Sequence, residues 1–158
     1  MAKYRLTEET KVVDGVTLHR IQAIKNFNGV LSGTLGGFVE SEKNLSQECG
    51  CWIFNDAICM GNGLVKDNAI VTGTSIVKDY AIVKGNAKVL ANSTVSGTGF
   101  LSDNASTVGK CNIQGQMSGD STVATDILLA KGVYLDGFIK IEGSGEVCAV
   151  CFSEGDPC

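Results

Sequence analysis

Seven cysteines, one histidine and a scatter of lysines are the side chains of this chain whose types and spacing suit chemistry. Cys148 and Cys151 stand three apart, Cys158 follows them, and Cys49 and Cys51 lie far upstream. A Cys-x-x-Cys pair is half of a usual zinc site, which takes four thiolate or imidazole ligands. The chain holds a single such pair, so no metal site is expected, and Cys148, Cys151 and Cys158 are what remains as candidates for one. No cofactor is expected, because neither a Walker nor a dinucleotide-binding glycine motif occurs. The odd cysteine count, with no apolar secretory stretch in Met1-Ala2-Lys3-Tyr4-Arg5, argues for reduced thiols and a cytoplasmic protein.

His19 has no nucleophile or orienting carboxylate near it in sequence, so it reads as a packing or surface residue and not as a general base. Lys66, Lys78 and Lys84 each stand beside an apolar position and would point outward. In an oligomer they would line a groove between subunits, where ammonium groups meet the phosphate or carboxylate of an anionic small molecule. The alternative is that they are solubilising surface lysines.

The elements that must position these groups follow from a lattice. Stepping by six from Ile53, the chain reads Cys59, Val65, Val71, Val77, Val83, Val89, Val95, Leu101, Thr107 and Ile113. A small residue precedes each by two (Ala57, Gly63, Ala69, Ser75, Ala81), and a turn residue follows most by two (Asn55, Gly61, Asp67, Gly73, Asp79). This pattern describes an all-β solenoid of stacked parallel rungs, three hexads to a coil. Val39 and Leu45 open an irregular first coil, and a second lattice runs through Val123, Leu129, Leu135, Ile141 and Val147. The spacing of ten between Ile113 and Val123 marks a register slip, expected as a loop or bulge near 117–121. Residues 1–28 break the period, and Asp14-Gly15 between apolar runs predicts a hairpin that caps the solenoid. The division is then 1–28 cap, 29–147 solenoid and 148–158 cysteine-bearing tail.

Rung residues alternate inward and outward, and residues eighteen apart share a face. One face would carry Trp52, Phe54, Ile70, Leu90 and Val108, an apolar surface that predicts a homo-oligomer unless a terminal segment folds over it. The net charge of −4, with both signs interspersed, disfavours nucleic acid as a partner, and no apolar run approaches a membrane span.

The run Ala81-Ile82-Val83-Lys84-Gly85-Asn86-Ala87 resembles the hexapeptide-repeat proteins. That resemblance implies a left-handed parallel β-helix and a trimer. The stretch from Gly33 to Ser46, with the Asn-Ala hexads after it, is similar to a group of mostly uncharacterised phage and bacterial members. Enzymatic members place the Gly or acidic residue directly after the aliphatic one, whereas here it stands two after. The acyltransferases among them use a histidine base, and the carbonic anhydrases hold zinc with three histidines; the repeats here contain none. The expectation is therefore a non-enzymatic, plausibly phage-encoded protein that binds or sequesters a host protein or an anionic small molecule. The alternatives are an acyltransferase with an atypical site, or a purely structural module.

Overall fold

A computed structural model describes residues 2–148, and it is nearly all β-structure. Most hexads from Ile53 to Ile113 supply a two-residue strand and a corner, as in Ile82–Val83 followed by its turn. The rungs stack in parallel at a spacing of one coil: Val65 pairs with Val83, and Val83 with Leu101. Three columns result, headed by Ile53, by Val39 with Cys59, and by Leu45 with Val65. About six coils form the solenoid, and every lattice residue from Ile53 to Ile113 is fully buried in one continuous core. The expected β-helix is thus the observed fold. Among the described residues no helix is long and apolar enough to cross a membrane.

The corners decide which residues can follow each rung. The backbone there turns through positive φ, at 56° for Asn55, 57° for Asp67, 58° for Asp79 and 54° for Asp103. Asp and Asn tolerate that region better than other residues with a Cβ. Each of these four then accepts a hydrogen bond from a glycine N–H one coil further on: Asn55 from Gly73 at 3.2 Å, Asp67 from Gly85 at 3.1 Å, Asp79 from Gly97 at 2.9 Å and Asp103 from Gly119 at 3.0 Å. At Gly73 a Cβ would run into the Ala91 carbonyl below it. Asp and Gly thus alternate in two of the corner columns, as Gly61, Asp79, Gly97 and as Asp67, Gly85, Asp103, Gly119, while the third runs Asn55, Gly73, Ala91, Gly109, Thr125.

The register changes between Ile113 and Met117, just ahead of the segment expected to carry it, and it is a deletion instead of a bulge. Sixteen residues separate Leu101 from its partner Met117, against eighteen from Val83 to Leu101. Met117 is a fully buried rung, so the corner before it has shrunk to Gln114-Gly115-Gln116. The N–H groups of Gln114 and Gly115 both reach the Leu129 carbonyl, at 2.8 and 3.2 Å. A Cβ on Gly115 would lie 2.5 Å from the Val133 carbonyl oxygen, so the tightened turn needs glycine. Below it, one strand, Thr122–Leu129, runs through two columns and pairs in parallel with the closing strand Lys140–Val147.

The first coil is capped by a hairpin of Tyr4–Val13 and Val16–Ala23, turned at Asp14 and Gly15 with φ of 51° and 77°. Its second strand joins Leu35–Val39 antiparallel, and that strand continues the parallel stack onto Ile58–Cys59. Tyr4 and Phe27 pack edge-on against Trp52, at ring separations of 6.1 and 5.3 Å. Trp52 is therefore not on an open face: it is 1% exposed beneath the chain's own N-terminal segment. Leu18, Phe38, Ile58 and Met60 form a second cluster outside the coil, under the hairpin. Arg20 ties the cap down through Glu9 at 2.9 Å, Asp56 at 3.2 Å and the Gly36 carbonyl at 2.7 Å.

Two substitutions test this account. Thr107 occupies an aliphatic rung position, fully buried with its hydroxyl unpaired, so Thr107→Val should raise stability by about 1 kcal/mol. Gly73→Ala combines a positive φ with the clash against Ala91 and should cost about 2 kcal/mol. Denaturant midpoints that leave either variant level with the parent would contradict the assigned packing.

Candidate functional site

Because every lattice residue from Ile53 to Ile113 is fully buried, a site along these coils must lie on the outward positions and corners. A groove of about 530 Å³ runs along the corner between the third and first columns. Its floor is a ladder of Asn68, Asn86 and Asn104, one per coil, flanked by Lys88, Ser106 and Ile70 and closed above by Asn28. The ladder exists because each asparagine follows a positive-φ residue, Asp67, Gly85 or Asp103, which throws the next side chain out of the coil. Asn68 accepts from the Gly50 N–H at 3.1 Å, and Asn104 donates to Asp120 at 3.0 Å, so the ends of the ladder are anchored. Ser106 bonds Thr122 at 3.2 Å. The Asn86 amide and the Lys88 ammonium, both exposed, face the groove with no hydrogen bond to the rest of the described protein.

This arrangement offers a line of amide donors and acceptors about 4.8 Å apart, with one cation beside it and an aliphatic edge. It suits an extended ligand with amide groups and an anionic end. The ladder is visible in the sequence as Asn at positions 68, 86 and 104, in a corner column two positions beyond the outward residue that follows each rung.

Within one chain the three lysines lie on two faces. Lys66 and Lys84 stand on one face a coil apart, and the Lys84 ammonium lies over the Phe100 ring at 5.4 Å. Lys78 lines a different groove, of about 360 Å³, under the hairpin tip with Asp14, Met60, Asp79 and Tyr80. Of the apolar face, Phe54, Ile70 and Leu90 are half-buried and Val108 is 42% exposed, while Trp52 is covered. His19 is half-buried in the hairpin opposite Val39, its Nδ1 3.4 Å from the Thr7 carbonyl oxygen, with no carboxylate on the ring.

Among the described residues no group of histidine, cysteine and carboxylate side chains is placed to hold a metal. Cys151 and Cys158 lie outside the described residues. Cys51, Cys59 and Cys111 are buried, and burial pushes the Cys51 and Cys59 thiols up from their ordinary range. The Lys3 ammonium, 3.2 Å from the Cys51 sulfur, pulls in the opposite direction there without overcoming it. Lys3 is itself fully buried, and its three protons are met by the carbonyls of Cys51 at 2.8 Å, Glu48 at 3.1 Å and Cys49 at 3.2 Å.

No family model matches the chain. Among curated proteins it is similar to an uncharacterized acetyltransferase, YdcK, of Escherichia coli K12: 42% identical over 77 aligned residues, covering 43% of this chain. The chain spans about a quarter of the length of that relative, 24%. This likeness corrects the expectation of a non-enzymatic binding or sequestering protein. That expectation rested on the missing repeat histidine. Histidine is the commonest proton acceptor in such chemistry but not an obligatory one, since carboxylates and other groups serve.

The thiols supply a test of the inward and outward assignments. A thiol reagent should modify Cys49, which is exposed, rapidly in the native protein, and Cys49→Ser should remove one fast equivalent. Fast native modification of Cys59 or Cys111 would contradict their burial.

Proposed function

We propose that the chain is an acyltransferase-type solenoid that moves an acetyl group from a thioester donor to an amine or hydroxyl acceptor along the asparagine-ladder groove. The observation that carries this reading is the 42% identity to a protein named as an acetyltransferase. The groove supports it chemically. The amides of Asn68, Asn86 and Asn104 match the amide groups of a coenzyme A arm, and Lys88 meets its phosphate. In the reaction the acceptor's lone pair forms a bond to the thioester carbonyl carbon, the C–S bond breaks, and the thiolate leaves with the acceptor's proton. An asparagine N–H directed at the carbonyl oxygen stabilises the charge that develops there. Asp120, bonded to Asn104, carries the carboxylate at the foot of the ladder and in this reading takes the acceptor's proton and hands it on to the departing thiolate.

A second copy packed against Phe54, Ile70, Leu90 and Val108 would wall the same groove, because Ile70 belongs to both surfaces. That packing belongs to the proposal, as does a cytoplasmic setting.

Thiol release from acetyl-coenzyme A, measured against a panel of amine and hydroxyl acceptors, tests the reading. Asn86→Ala should lower kcat/KM by about tenfold, the loss of one well-placed hydrogen bond. Lys88→Ala should raise KM for the donor with little change in kcat. Absence of turnover and of donor binding across the panel would remove acyl transfer from consideration.

A further inference from the structure

The two ends of the solenoid are treated differently. The hairpin seals the first coil, whereas among the described residues nothing pairs with the outer edge of the closing strand Lys140–Val147. Under that strand lies an apolar cavity of about 420 Å³ lined by Val133, Leu135, Ile139, Ile141 and Val147. Phe138 beside it is 93% exposed. A long unpaired edge over an open core is the surface that sheet proteins ordinarily cover.

We infer that this end binds a second copy of the chain, end to end, through antiparallel pairing of the two Lys140–Val147 strands about a two-fold axis at Gly143. Three features converge on that residue. First, the carbonyls of Ile139 and Val147 point up the solenoid, accepting from Thr122 at 2.8 Å and Ala130 at 2.9 Å. In a parallel ladder the odd-numbered residues then face the preceding coil, and Lys140, Glu142, Ser144 and Glu146 present their N–H and C=O groups to the open edge. A two-fold at Gly143 sets residue 140 opposite 146 and residue 142 opposite 144, so the free groups meet in phase.

Second, that register is the one in which the charges agree. It places Lys140 of each copy against Glu146 of the other, and Ile139 against Val147 on the core side. Sliding by two residues in one direction puts Glu142 against its own copy, and in the other puts Glu142 against Glu146, both repulsive. Third, Gly143 sits in the corner column of Asn55, Gly73, Ala91, Gly109 and Thr125, where φ is positive throughout, and pairs with Thr125 itself. A two-fold through a corner exchanges the two flanking faces, so the bends of the two strands coincide.

Analytical ultracentrifugation of the full chain at micromolar concentration tests this. Glu146 is exposed, so Glu146→Lys leaves the fold intact, as an unchanged thermal melt would verify. It should halve the particle mass, and Lys140→Glu combined with Glu146→Lys should restore it. Equal masses for the parent and Glu146→Lys would overturn the pairing. So would a monomeric parent, the outcome expected if residues 149–158 or a partner of another kind occupied the edge.

Discussion

The structure depends on a steric constraint at its corners more than on its core. Successive coils are about 4.8 Å apart, so a corner residue with positive φ has the backbone of the next coil directly beneath it. Where that backbone is closest, only a glycine fits, and its N–H is then available. An Asp or Asn one coil above satisfies that N–H and tolerates the same conformation. The aliphatic columns supply most of the transfer free energy, but they would stack equally well in several registers. The hydrogen bonds that Asn55, Asp67, Asp79 and Asp103 accept from glycines one coil on select one of them.

The core and the number of coils were legible in the sequence because one periodicity encodes both. Val65, Val83 and Leu101 are spaced eighteen apart and stack as that spacing requires. The hairpin was legible through Asp14-Gly15, though it extends further than the apolar run around it, from Tyr4 to Ala23. What could not be read was anything set by two distant segments meeting. Trp52 has the spacing of an outward residue, and its burial depends on Tyr4 and Phe27 arriving from outside the lattice. The faces of the lysines follow from spacing: Lys66 and Lys84, eighteen apart, share one, and Lys78 falls on another. The short corner at Gly115 looked like a bulge because Met117 was not recognised as a rung.

The same geometry explains how a scaffold of this kind carries chemistry. Inward positions are committed to packing, and the corner residues with positive φ are committed to the stacking bond. The residue just after each is bound by neither requirement, and it is there that Asn68, Asn86 and Asn104 stand. A ladder of identical polar groups costs little to build in a solenoid, because one choice repeated every coil places all its members in line. The regular spacing of those amides then follows from the coil spacing alone.

The pinched coil at Gly115 has the opposite character. Elsewhere each outward column is regular, with one side chain of the column in every coil. Where two residues are missing from one turn, the wall is notched, and Thr98 from the coil above and Tyr134 from the coil below line a single recess of about 170 Å³ with Gln114 and Gln116. There the even spacing of the solenoid is broken, and unlike groups from three coils converge on one small volume of solvent.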